Sequence, residues 1–265
     1  MDHKAATPSV KSVLLQGAGS AFLVRCVAVV LTMGVHVSLA RILGPGEYGI
    51  YAYVVSWLVF LAFFASFGLD NSSVRYVGQY RVRGEWSLLR GLLRNSDRLV
   101  LVTALGVVLT TGLVLLCLRG RLDPRLLQTF WIGCLVVPVL ASLNVRGAVL
   151  RAFRFIFAGL ALRQVLYPAF LVALVFIVHG LLPVKLDSRL AMGLNLAAIC
   201  LVWLCASVTL RWRLPDEALA GPKDYQRREW FWTSSSLMIF SGLTLISMRS
   251  DVIMVGMFLG TEEAG

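Results

Sequence analysis

Acidic side chains are scarce in this chain. Its 265 residues hold 14 Asp and Glu against 25 Lys and Arg, with only three His. Paired carboxylates for acid–base chemistry, or His/Asp/Glu clusters for a metal, therefore have few places to come from. Charge of either sign is thin as well, 15% of residues where a soluble domain carries about 25%. With 58% hydrophobic residues, that shortage excludes a disordered or collagen-like chain and argues against a soluble enzyme. Cysteine offers nothing more: Cys26, Cys117, Cys134, Cys200 and Cys205 all sit inside apolar runs, without metal-ligand spacing, and read as small buried hydrophobes. No cofactor or metal is implied.

What the chain has instead is long apolar runs and a mean hydropathy of +0.79. Seven segments are long enough to cross a hydrocarbon core of about 30 Å: 17–40, 49–69, 99–118, 127–147, 158–179, 190–210 and 231–256. The predicted fold is an all-α polytopic membrane protein. Pro168 in the fifth span is compatible with a kink. The net charge of +11 lies mostly between the runs, so it reads as a topological signal and not as a nucleic-acid surface. Sixteen Lys and Arg fall on the side of the N-terminus, and six, among them Arg41, Arg119, Arg121 and Arg125, on the other. The positive-inside rule then makes the N-terminus cytoplasmic.

Two short stretches match each other. Leu43-Gly44-Pro45-Gly46-Glu47-Tyr48-Gly49 and Leu259-Gly260-Thr261-Glu262-Glu263-Ala264-Gly265 both fit L-G-x-x-E-x-G at an offset of 216. Each follows a long apolar helix running in the same direction, and six spans separate them, which is the parallel-repeat arrangement of two-lobed transporters. The alternative is two generic helix–loop–helix corners. On the repeat reading, residues 1–210 form a six-helix N-terminal lobe, 211–229 a cytoplasmic linker, and 230–265 the first helix of an incomplete C-terminal lobe. A missing second lobe or a homo-oligomer would complete it.

The stretch Ala40-Arg41-Ile42-Leu43-Gly44-Pro45-Gly46-Glu47-Tyr48-Gly49-Ile50-Tyr51 resembles the first outer loop of the polysaccharide biosynthesis proteins. These are O-antigen-type flippases of the multidrug/oligosaccharidyl-lipid/polysaccharide exporter superfamily. Phe67-Gly68-Leu69-Asp70, followed by Arg75-Tyr76, is similar to that family's end of the second helix, and 251–265 to the end of its seventh. The resemblance implies a bacterial inner-membrane transporter with two six-helix lobes around a central cavity. It also implies a cargo of undecaprenyl-diphosphate-linked oligosaccharide.

Polar groups inside the spans are the candidate site, because an ionised residue at mid-bilayer costs on the order of 2.5–3.5 kcal/mol and turns toward a cavity or a partner. Arg25, Thr32 and His36 fall on one stripe of the first span. The stripe reads either as lumen-facing, with Arg25 gripping a diphosphate, or as a packing face with a snorkelling arginine. In the seventh span Thr233, Ser236, Ser241, Thr244, Ser247 and Asp251 share a face. Hydroxyls of this kind serve close helix packing or transport, and Asp251 either carries a coupling proton or meets an arginine. Arg163 in the fifth span lines a cavity or snorkels. Asp70 and Arg75 form a gate or cap at the end of the second span, or touch substrate. Two other classes stay open: a drug/cation antiporter, which would want a carboxylate-rich lumen, and a non-transporting, partner-binding half. A membrane-embedded enzyme finds no acid/base pair in the polar loop around 70–98.

Overall fold

The computed structural model describes residues 10–181 and 185–258, and side chains only within 25–242. Every element among the described residues is helical. They are α1 (Val10–Leu43), α2 (Pro45–Ser66), α3 (Leu69–Arg83), α4 (Trp86–Cys117), α5 (Pro124–Ala152), α6 (Ile156–Ala161), α7 (Tyr167–Leu181), α8 (Ser188–Arg213), α9 (Asp216–Leu219) and α10 (Arg227–Phe258). A π-helical turn, Leu162–Leu166, joins α6 to α7 into one continuous rod. Six helical segments among the described residues are long and apolar enough to span a membrane: Arg25–Leu43, Pro45–Ser66, Trp86–Cys117, Pro124–Ala152, Ala158–Leu181 and Ser188–Arg213. The chain is a polytopic helical membrane protein. The seventh predicted span falls on α10, whose side chains beyond Gly242 are outside the described residues, as is the second L-G-x-x-E-x-G copy.

Helix starts follow local chemistry. At α5, Pro124 occupies the first turn, where its missing N–H costs nothing, and the Asp123 carboxylate accepts from the Arg125 amide at 2.7 Å. At α8, the Asp187 carboxylate accepts from the Leu190 amide at 2.9 Å. Glu47, the acid of the L-G-x-x-E-x-G motif, lies in the first turn of α2, and its reach is longer than its own helix. One oxygen accepts from the Ser188 amide at 2.8 Å and the other from the Arg125 guanidinium at 3.0 Å. A single carboxylate thus ties the starts of α2, α5 and α8 together at one end of the bundle, in the favourable field of helix N-termini.

The core is built around α5, which packs on α2, α3, α4, α6 and α8. Small residues let it sit at the centre: Ala141 and Ala148 are fully buried, and Gly133 lies against Leu58 and Val54 of α2. The faces of α1 and α4 that carry Val29, Val30, Met33, Leu105, Leu109 and Leu113 are exposed, as lipid-facing surfaces are. Cys134 is buried, but Cys26 and Cys117 lie on these outward faces, which corrects their reading as interior hydrophobes. An apolar run in a membrane helix has a lipid-facing side that hydropathy does not separate from the core side.

At the opposite, basic end, the stretch 70–98 is no loop. It is α3 and the first three turns of α4, and its stripe of Tyr76, Val77, Tyr80, Leu89 and Leu92 forms a second core with Val149, Phe153, Leu214, Ala218 and Trp230. The segment 214–226 is pinned there. Arg90, itself buried, donates from Nε to the Pro222 carbonyl at 2.8 Å and from its terminal nitrogen to the Glu217 carbonyl. The Asp224 amide donates to the Ser87 carbonyl at 3.1 Å. α10 then lies along α3. Ser72 and Ser234 share a 2.7 Å hydrogen bond, Tyr76 meets Thr233 at 2.8 Å, Asn71 donates to Ser241 at 2.9 Å, and Trp230 Nε1 donates to the Tyr80 hydroxyl at 2.9 Å.

Candidate functional site: a polar cavity within the bundle

A cavity of about 410 Å³ opens among α1, α2, α5, α7 and α8. Most of its wall is aliphatic. Polar groups enter from four of the helices: Thr32 and His36 from α1, Tyr48, Tyr51 and Ser56 from α2, Arg163, Gln164 and Tyr167 from the π-turn and α7, and Asn195 from α8. They are linked. His36 Nδ1 lies 2.8 Å from the Tyr48 hydroxyl. Tyr51 lies beside Tyr167, whose hydroxyl donates to Asn195 Oδ1 at 3.0 Å. Arg163 donates to Asn144 Oδ1 of α5 at 2.8 Å. The Gln164 Oε1 atom is buried without a hydrogen-bond partner among the described residues, an acceptor whose burial costs about 1–3 kcal/mol until a donor reaches it.

Backbone chemistry places Arg163 and Gln164. Pro168 has no N–H to give to the Gln164 carbonyl four residues back, and its ring crowds that carbonyl. The helix absorbs the conflict as the π-turn Leu162–Leu166, and such single turns mark functional sites in many helices. The turn presents both side chains to the cavity. Around Pro168 the structure has a π-turn just before the proline.

A smaller pocket of about 50 Å³ adjoins toward the basic end and shares Leu143 and Arg163 with the large one. Asp70 and Arg151 both line it and feel one another's charge. Asp70 Oδ1 is buried with no hydrogen-bond partner among the described residues. Asp70 does not cap α3, which starts from Gly68, and no ion pair joins it to Arg75, whose guanidinium lies 6.0 Å over the Tyr76 ring. The five-residue step from Asp70 to Arg75 turns them about 140° apart on the helix, so Asp70 meets α5 and not Arg75.

Of the other residues expected from sequence, Thr32 and His36 line the cavity and Arg163 does too. Arg25, two turns below Thr32 on the same stripe, is exposed and is not part of the wall, which closes on α1 at Ala28. Asp251 lies outside the described side chains. Thr233 and Ser241 serve the contact with α3, and Ser236 is exposed. Sequence reasoning passed over Tyr51, Tyr167, Asn195 and Asn144. The two asparagines were findable as lone amides inside apolar runs, since such groups need partners in a membrane.

The described helices form a membrane-spanning bundle with a linked polar cavity. The chain belongs to the polysaccharide biosynthesis protein family, whose model matches residues 14–265. Searches of curated proteins and of solved structures returned no match. Family and spans together support a transporter-type role in polysaccharide biosynthesis.

Proposed function

We propose that this chain is a flippase that moves a lipid-linked oligosaccharide, of the undecaprenyl-diphosphate type, across the bacterial inner membrane. The carrying observation is the charge of the cavity: its described lining holds Arg163 and no carboxylate. A guanidinium in a low-dielectric wall suits a diphosphate, which it grips through two parallel hydrogen bonds. Gln164, Tyr51, Tyr167 and Asn195 supply donors and acceptors of the sort sugar hydroxyls need. A cation antiporter would want the opposite lining. Arg25 is proposed as the approach contact, continuing the Thr32–His36 stripe toward the basic end, and Asp251 as a counter-charge from the other lobe. Asp70 and Arg151 close the basic end, which is cytoplasmic by its Lys and Arg content.

In this reading residues 1–210 are one lobe, 211–229 the linker and 230–265 the start of a second lobe, supplied by further chain or by another copy. A cargo bound equally by inward and outward states shifts neither, so a gradient or ion must bias the cycle. The test is export of surface polysaccharide in cells lacking their own flippase, complemented by wild-type, Arg163→Lys and Arg163→Ala proteins in a two-lobed context at matched membrane levels. Lysine keeps charge without the fork and should retain part of the export, and alanine little. Wild-type export by Arg163→Ala would overturn the assignment.

A further inference from the structure

A second concavity, of about 510 Å³, lies on the other side of α2. Its α2 wall is an aromatic ladder. Tyr53 and Trp57 meet edge to face at 6.5 Å, Trp57 and Phe60 at 6.0 Å, and Phe60 and Phe64 at 4.9 Å between ring centroids. The facing wall is α4 from Val107 to Leu115, with Leu118 just past its end, and Leu122, Leu126 and Phe130 complete it. The one-turn-per-ring spacing from Tyr53 to Phe64 makes a groove of about 16 Å, half of a hydrocarbon core of about 30 Å. Its surface is almost wholly apolar, and the Thr110 hydroxyl donates to the Gly106 carbonyl of its own helix. The groove shares no lining residue with the polar cavity, because α2 stands between them.

At one end the groove stops at Leu118 and Leu122, and the turn between them carries Arg119 and Arg121, both exposed. Nearby carboxylates are already engaged. Asp123 caps α5, and Glu47 holds Arg125 and the Ser188 amide. Among the described residues neither Arg119 nor Arg121 has an acidic partner.

We propose that this groove is a binding site for a membrane phospholipid with an anionic headgroup. One acyl chain lies along the Tyr53–Phe64 ladder for the depth of one leaflet, and the phosphate sits at Arg119 and Arg121. Two observations select this occupant over the hydrocarbon tail of a transported cargo. The groove is walled off from the polar cavity by α2, so a headgroup in the cavity cannot lead its tail here without passing round the helix. The unpaired charge at the mouth also fits a headgroup at the membrane surface and not one at mid-bilayer. The assignment stands apart from the transport reading, since it concerns a lipid that stays in its leaflet.

The experiment is native mass spectrometry of the purified chain exchanged into detergent containing phosphatidylglycerol or phosphatidylcholine of matched acyl chains. Quenching of tryptophan fluorescence by the same lipids with brominated chains accompanies it. Each surface-near basic residue contributes about 1 kcal/mol toward an anionic lipid, so two should favour phosphatidylglycerol by about thirtyfold. One phosphatidylglycerol should survive on each chain, and the quenching should fall in Trp57→Phe. The double variant Arg119→Gln, Arg121→Gln lies on an exposed turn and should bind both lipids about equally. Thr111→Phe, which fills the groove, should lose the bound lipid. Equal affinity of the two lipids for wild-type protein, an unchanged preference in the double arginine variant, or quenching untouched by Trp57→Phe would each overturn the proposal. Displacement of phosphatidylglycerol from the groove by a polyprenyl phosphate, or by a second copy of the chain, would do the same.

Discussion

Gly68 is the corner on which α10 is seated, and replacing it by alanine tests how that seat is made. Gly68 follows Phe67 between α2 and α3, and both have left-handed backbones, with φ of 67° and 50°. An alanine at 68 meets two obstacles. The left-handed conformation costs an L-residue about 1–2 kcal/mol. The new Cβ would also lie 2.2 Å from the Ser234 carbonyl oxygen and 2.9 Å from the Met238 amide nitrogen of α10. Both are backbone atoms, so α10 must move away. The buried Ser72–Ser234 bond and the Tyr76–Thr233 bond then stretch, at about 0.5–1.5 kcal/mol each. The expected loss is about 1–3 kcal/mol for holding α10 against α3, the backbone strain at residue 68 being a separate cost to the α2–α3 corner. The assay is the labelling rate of a Met238→Cys reporter, half-buried beside Gly68, in a cysteine-free background, with and without Gly68→Ala. At the lower figure the labelling should rise by about fivefold. Gly68→Asn separates the two causes, because asparagine tolerates the left-handed backbone but still carries a Cβ. If close approach dominates, asparagine is as damaging as alanine. Unchanged labelling in Gly68→Ala would refute the packing argument.

At the Glu47 end, Glu47→Ala should cost about 1–2 kcal/mol in unfolding from mixed micelles, because the Ser188 amide loses its acceptor; Arg125→Ala should cost under about 1 kcal/mol, since that guanidinium is 67% exposed. Arg90→Ala should free the 214–226 segment, read as faster tryptic cleavage at Lys223 and Arg227, while Arg90→Lys slows it only in part. Burial pushes the Asp187 carboxyl up, but the Leu190 amide and the Arg189 guanidinium outweigh it and hold it below the ordinary carboxylate range. Its contribution is therefore present above the normal aspartate pKa and lost as pH falls through the lowered value, and Asp187→Asn should flatten the acid side of the stability profile.

The spans were legible because hydropathy over about 20 residues measures the transfer that a membrane helix undergoes. The second span is of this kind, although α2 starts at Pro45, four residues before the apolar run read as 49–69. α3 was not legible, because its arginines lower the average while Tyr76, Val77 and Tyr80 still make a buried stripe, and a window that averages over the whole segment loses a stripe of three. In the site, Thr32 and His36 could be read from their shared helical face. Arg25 lies on the same face, and nothing in one helix's periodicity says where along it a cavity ends. That boundary is set by Ala28 against its neighbours. Asn195 and Tyr167 meet across 28 residues of sequence, so their pairing belongs to the packing of α7 on α8 and not to either helix alone. Glu47 sits in the first turn of its own helix, where a negative charge is favourable, but its contacts with Ser188 of α8 and Arg125 of α5 are fixed only once three helices converge.

The two ends of the cavity are held by different physics, and this bears on which end is built to open. At the Glu47 end, one carboxylate joins three helix starts through an amide and a guanidinium, and moving any of the three breaks a charge-assisted bond. At the basic end, α5 meets α6 through two glycines. A Cβ on Gly159 would come within 2.8 Å of the Gly147 carbonyl and 2.7 Å of Arg151 Cγ. Backbones that touch without interlocking side chains can part without dragging side chains out of holes, unlike a packed, bistable core. The Arg163–Asn144 bond between the π-turn and α5 opposes parting there, and Asp70 of α3 attracts Arg151 of α5 across the same small pocket. Both involve groups that an anionic headgroup would engage. A diphosphate arriving at Arg151 and Arg163 would compete with Asp70 and Asn144 for the same guanidinium donors. Binding would thereby weaken the contacts that shut the pocket, so on the transport reading cargo recognition and release of the basic end are one event.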